Sequence, residues 1–259
     1  MNLNQFITAM PKIELHVHLE GSIRPETLLT LAHRHNVPLP AADVDGLRRW
    51  YNFRDFDHFI EIYMTFAKCL RDPEDIELIA REFFSGQAAQ NVRYSEVTYT
   101  PYSQFKATGI PFDEQVDALN RARTWAERAL NVSAGWVFDI SRNTLPKEGE
   151  IVAGWAVSAM QKGCVALGLG GPEVGHPPED FTRAFEIAHA AGLPSVPHAG
   201  ETEGPASIWG SLKALRAVRI GHGVRCLEDP ALVEYLRENQ VPLEVCPTSN
   251  ICLRVADDF

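Results

Sequence analysis

The sequence predicts a single α/β domain built as a (β/α)8 barrel, and three observations carry that reading. Short apolar segments rich in β-branched residues alternate with longer amphipathic ones, the pattern of parallel βαβ units. No Gly-x-Gly-x-x-Gly fingerprint follows the first strand, which turns the choice away from a dinucleotide-binding sheet. The unusual polar residues (His16, His18, 198–201, His222 and 248–250) fall at strand ends, where barrels build their sites. With 259 residues and 45% hydrophobic composition, the chain can bury one large core.

Residues 12–20 alternate at a period of two and read as a strand, with the imidazoles of His16 and His18 on one face. Residues 25–90 then read as helical throughout. An insertion of that length is expected to lie across the barrel mouth as a lid or specificity element. Within it, Phe56, Phe59, Tyr63 and Phe66 recur at the spacing of a buried helix face. Further strands are expected at 92–100, 136–140, 164–171, 195–201, 219–224 and 242–250. Helices are expected at 112–130, 148–162, 179–191, 205–217 and 230–239.

Composition removes several function classes. The chain carries 34 Asp and Glu against 24 Lys and Arg and has no basic run able to track a phosphate backbone, so nucleic acid is excluded as a partner. No apolar stretch reaches the roughly 18–20 residues that span a bilayer, and no basic-then-apolar leader opens the sequence. A cytoplasmic protein that does not enter membranes is expected. The five cysteines, Cys69, Cys164, Cys226, Cys246 and Cys252, are scattered and odd in number, as buried thiols would be.

His16-Val17-His18 supplies two neutral imidazoles to one point, half of a metal site; a catalytic zinc takes three protein ligands and leaves a position for water. Alone, a His-x-His pair is more often a hydrogen-bonded strand face. Pro197-His-Ala-Gly-Glu201 adds a histidine and a carboxylate three residues apart, and Arg219-Ile-Gly-His-Gly-Val224 a histidine between two glycines. His198 or His222 taken singly reads as a core histidine. All three motifs together, in that order and at strand ends, do not read as packing.

With His-Leu-Glu-Gly-Ser at 18–22, Gly-Gly-Pro-Glu at 170–173 and Leu-Glu-Val-Cys-Pro-Thr-Ser-Asn at 243–250, the chain resembles the adenosine deaminase family of the amidohydrolase superfamily. The resemblance implies a barrel of the metal-dependent hydrolase type and one zinc per site, held by His16, His18, His198 and an aspartate after the eighth strand. It further implies that Glu201 protonates N1 of the purine and that His222 orients or deprotonates the attacking water. The Gly171 backbone would meet the purine edge, and Glu20 would lie near the sugar. The implied partner is a small purine nucleoside. The His-x-Glu with Pro-Cys-x-x-Cys signature of the other zinc deaminases is absent.

Two departures from the family bear on function. Adenosine deaminases usually carry Asp at the position of Glu20, and Asp-Leu-Ala-Gly-Asp-Glu at that of Gly168-Leu-Gly-Gly-Pro-Glu173. The form present here resembles bacterial deaminases of 6-amino-6-deoxyfutalosine, a menaquinone precursor, which is favoured over adenosine, with adenine third. The sequence also ends at Phe259, before the expected eighth strand. Asp257-Asp258 looks like the family's aspartate pair but follows Asn250 too closely, so a truncated or internally shortened sequence is expected. A catalytically impaired purine- or metal-binding relative is the competing class. A two-metal hydrolase of amides or phosphoesters would want a bridging lysine, and none ends the 164–171 strand.

Overall fold

The computed structural model describes residues 2–54 and 56–257 and, among these, the side chains of all but Phe56 and Asp57. The chain forms two compact units, Met1–Asn52 with Glu61–Trp136, and Phe53–Ile60 with Val137–Phe259.

The first unit opens with α1 (Leu3–Ala9), capped reciprocally by the side chains of Asn2 and Gln5. It continues through β1 (Lys12–His18), α2 (Pro25–His35), α3 (Val44–Trp50), α4 (Phe56–Cys69), α5 (Pro73–Ala89), β2 (Val92–Tyr99), α6 (Pro101–Thr108), α7 (Phe112–Leu130) and the start of β3 (Ser133–Ser141). The first turn of α4 belongs to the second unit. Asn36 and Asn131, both in the left-handed region, end α2 and α7, as Gly109 ends α6. Asp75 is fully buried at the start of α5. It accepts from Arg34, His35 and the N–H groups of Arg71 and Asp72, which ties the end of α2 to α5.

β1 runs parallel to β2, from Lys12 beside Val92 to His18 beside Thr98. Its alternation is inverted relative to a simple amphipathic strand. Ile13 is 68% exposed and Leu15 37%, while Lys12 and Glu14 are half-buried and bonded to the Gln90 carbonyl and the Gln87 amide. A register irregularity between Glu14 and Val17 then ends the alternation, and His16, Val17 and His18 are all half-buried.

In the second unit the end of β3 lies beside β4 (Cys164–Gly170), with α8 (Pro146–Ser158) between them in sequence. α9 (Thr182–Ala190) leads to β5 (His198–Ala199), α10 (Pro205–Lys213), β6 (Ile220–His222), α11 (Pro230–Glu238), β7 (Leu243–Glu244) and α12 (Pro247–Cys252). β5, β6 and β7 pair in that order, in parallel. Ala199, Ile208, Ile220, Leu232 and Leu236 form the core beneath them. α8, α10, α11 and α12 each start on a proline, whose fixed φ suits the first helical turn.

Several expectations change in detail. The strand expected at 195–201 narrows to two residues, since Pro194 and Pro197 lack an N–H for the ladder and Gly200 turns the chain; Ser195 keeps only an isolated parallel bridge to Leu167. The strand expected at 242–250 ends at Glu244, and Pro247 starts a helix, so Asn250 is helical. Helices expected at 148–162 and 179–191 each include a 3-10 turn, at Met160–Lys162 and Pro178–Phe181. Of the thiols, Cys69, Cys164 and Cys226 are buried, but Cys246 is half-buried and Cys252 exposed; among the described residues none is disulfide-bonded. Phe66 is buried and Phe59 and Tyr63 are half-buried, while the Phe56 side chain and Asp258 lie outside the described residues; Asp257 is exposed. No helix among the described residues is long and apolar enough to cross a membrane.

Candidate active site

At the end of β1 the ring centroids of His16 and His18 stand 5.8 Å apart. Burial, assisted by neighbouring His16, pulls the His18 pKa down to about 3, so its imidazole is neutral at physiological pH, the form that ligates metal. The next turn, Glu20–Ser22, buries Glu20, whose Oε1 accepts the Thr100 N–H at 3.0 Å. Burial raises the Glu20 carboxyl to about 7 against hydrogen bonds from the Thr100 backbone, its own backbone and the Tyr63 side chain. Tyr63 also meets the Thr100 hydroxyl at 3.0 Å and stands edge-on to the His18 ring. In the first unit, therefore, two imidazoles and one buried carboxyl follow one another at a single strand end.

In the second unit the geometry starts from β3 and β4. The side chain of Asp139 fills the space where Gly168 and Gly170 would carry a Cβ, so β4 passes close over it only as glycine. Gly171 follows at φ +88° beside the Ser141 hydroxyl. His198, on β5 and buried, donates through Nδ1 to the Leu169 carbonyl at 3.1 Å. A carbonyl only accepts, so this bond sets the tautomer in which Nε2 carries the lone pair. Arg142, itself buried, donates through Nη2 to the His198 carbonyl at 2.8 Å and through Nη1 to that of His176 at 2.6 Å.

Gly200, at φ +68°, turns the chain after β5 and presents Glu201, of which 7% is exposed. Burial first, and then the nearby charge of Glu173, push the Glu201 carboxyl up to about 8. Its Oε2 lies 3.5 Å from Nε2 of His222. His222 ends β6 with φ +61°, and its Nδ1 accepts from the Asn250 amide at 3.1 Å. The His198 and His222 ring centroids are 5.4 Å apart. The second unit thus brings together His198, whose Nε2 carries the lone pair, the protonated acid Glu201, and His222, whose Nε2 faces that acid.

Sequence reasoning gave no role to Arg142, Glu173, Tyr63 or Thr100, and placed Asn250 without assigning one. Glu173 was visible within Gly-Gly-Pro-Glu, and Thr100 directly follows β2. Tyr63 was hidden in a core-like aromatic spacing. Arg142 carried no sequence signal.

A family profile described as adenosine deaminase matches residues 11–259. The aminodeoxyfutalosine deaminase of Streptomyces avermitilis is 43% identical over 98% of this chain and 71% of its own length; that of Streptomyces coelicolor is also 43% identical, with 66% of its length covered. The adenine deaminase of Bordetella avium is 37% identical over 98% of this chain and 79% of its own. Among solved structures, an adenine deaminase from Arthrobacter aurescens superposes with a TM-score of 0.91 at 34% identity, covering 96% of this chain and 76% of that one. A zinc-bound amidohydrolase from Burkhoderia ambifaria reaches 0.89 at 28% identity, covering 96% and 69%. The barrel class expected from the strand and helix alternation is the fold class of these hydrolases. Matched by that profile and by relatives along almost all of its length, the chain belongs to the adenosine deaminase family of the amidohydrolase superfamily.

Proposed function

We propose that the protein is a zinc-dependent hydrolytic deaminase that converts the 6-amino group of an adenine nucleoside to 6-oxo with release of ammonia, and that its preferred substrate is 6-amino-6-deoxyfutalosine. The observation that carries this reading is Glu201. Its carboxyl stays protonated at neutral pH, at 3.5 Å from a histidine, which is what an acid aimed at a ring nitrogen requires.

The donor set fits zinc. His18 is held neutral by burial, and the Leu169 carbonyl sets the His198 tautomer with its lone pair on Nε2. By the family pattern His16, His18 and His198 would hold the ion, which supplies, when bound, a water acidified from pKa 15.7 to about 7. Glu201 gives its proton to N1 of the purine as water oxygen adds at C6, offsetting the charge that develops as the ring loses aromaticity. His222 orients or deprotonates the water; with Nδ1 accepting from Asn250, its neutral ring turns an N–H at Nε2 toward Glu201, which suits orienting. The C6–N bond then breaks, the amino group leaves as ammonia carrying one proton of the water, and the other, on the C6 hydroxyl, returns to Glu201 as the C6=O forms. The Gly171 backbone meets the purine edge, where its left-handed φ keeps a side chain out of the way. Glu20 holds the sugar end.

Substrate choice rests on Glu20 and the Gly-Leu-Gly-Gly-Pro-Glu segment, and on the two Streptomyces relatives named as aminodeoxyfutalosine deaminases. Adenine is the second reading, favoured by the relatives named adenine deaminase; a free base would leave Glu20 without a sugar to meet. Ammonia release from aminodeoxyfutalosine, adenosine and adenine, compared side by side as kcat/KM, tests the order. A clear preference for either of the other two overturns it. The reading places the protein in the cytoplasm, where its thiols stay reduced.

A further inference from the structure

We infer that Glu173 is the positioning residue for Glu201, holding the backbone of residues 200–202 so that the acid keeps its place; the inference rests on the deaminase reading above. Glu173 belongs to the Gly-Gly-Pro-Glu segment, yet the mechanism uses only its glycine. Glu173 is 3% exposed. Oε1 accepts from the N–H groups of Glu201 and Thr202 at 2.8 Å each, and from Glu203 at 3.5 Å. Oε2 accepts from the Gly200 N–H at 2.8 Å and from the Ser207 hydroxyl at 2.5 Å.

Successive N–H groups turned toward one point make an anion-binding concavity, and here the anion is built into the chain. The turn needs Gly200: its φ is left-handed, and a Cβ there would run into Ile208. With both oxygens occupied by donors from its own unit, Glu173 is filled as an acceptor and is not placed to bind substrate. One of those donors is the peptide N–H of the proton donor itself. Losing the carboxylate would leave several buried N–H groups unpaired in the segment that carries the acid, and that segment would rearrange to satisfy them. The same negative charge also opposes ionisation of Glu201. The other charged or titratable groups around that acid include His198 on β5, Glu203 on its own loop, His222 on β6, and Arg225, which donates to the Thr202 carbonyl.

The test compares zinc-loaded Glu173→Gln and Glu173→Ala with the parent, on whichever of the three adenine compounds the parent turns over best. A Gln oxygen can still accept from Glu201 and Thr202, whereas Ala removes the acceptor altogether. Glu173→Gln is expected to lower kcat by about tenfold and Glu173→Ala by about a hundredfold, no more than the roughly 10²–10⁴ that a placed acid supplies. KM and zinc content should stay near the parent's. The alkaline limb of the kcat profile should move to lower pH in the Gln variant, a displacement that a merely structural residue would not cause. Hydrogen exchange at the amides of 200–202 should quicken in both. Parental kcat and unchanged exchange in Glu173→Gln would overturn the inference, as would a loss confined to thermal stability. Should the Ala variant fail to fold, the Gln variant decides. A parent that releases no ammonia from any of the three compounds sinks the deaminase reading instead, and exchange at 200–202 then decides the role of Glu173.

Discussion

His18 in the first unit and Glu201 in the second are both uncharged at neutral pH, and burial is the leading cause in each case. The outcomes are chemically opposite. Driving charge off an imidazole leaves a lone pair, which suits His18 to the ligand role proposed for it; driving charge off a carboxyl leaves a proton, which suits Glu201 to the proposed role of acid. Their second causes differ too: a neighbouring imidazole acts on His18, and the carboxylate of Glu173 on Glu201. One physical force applied to two residue types thus prepares both halves of the proposed deamination.

Removing the metal would break the comparison most completely. Treatment with a strong chelator should abolish ammonia release, and zinc should restore it; full activity in metal-free protein would mean that the neutral imidazoles serve no ion. Next in size is Glu201→Gln, which keeps the shape but cannot donate the proton. Its kcat should fall by about 10²–10⁴, and a rate within a few-fold of the parent would remove the acid role.

The pH dependence sharpens the same contrast. Because the Glu201 carboxyl is raised from 4.5 to about 8, turnover should decline as pH rises through 8. Stability follows the same sign: between 4.5 and 8 the folded chain holds a proton that the unfolded chain has released, so stability falls across that window. Glu201→Gln should therefore resist denaturant better than the parent at pH 8, by on the order of a few kcal/mol, and equally at pH 4. Denaturant titrations of the two metal-free proteins at both pH values check this. Smallest in expected effect is Arg142→Lys. A compact ammonium cannot bridge the His176 and His198 carbonyls as the planar guanidinium does, and kcat should drop about tenfold, with zinc affinity weakened in competition titrations. Unchanged zinc affinity would show that Arg142 does not position His198.

What could be read from the sequence was whatever is encoded locally. The helix expected at 112–130 matches α7 to the residue, because Pro111 and Asn131 punctuate an amphipathic run. The strand expected at 242–250 failed past Glu244, because Val245 and Cys246 continue a β-like pattern that Pro247 then converts to helix. β1 was read as a strand, but not that its apolar residues face outward, since alternation alone does not say which face is buried. The site motifs were legible for the same local reason. The partners of their residues, such as Arg142 beneath His198, Asn250 on His222 and Thr100 on Glu20, come from tens of residues away and exist only once the chain is folded.

His222 holds a left-handed backbone that only glycine adopts without cost, a strain of about 1–3 kcal/mol in a chain whose whole margin over unfolding is about 5–15. A search for hardier variants would therefore be drawn to Gly or Asn at this position, and would gain its heat resistance by discarding the imidazole. Under the proposed mechanism endurance and turnover pull against each other at this residue, and thermostability alone is the wrong criterion for improving the enzyme.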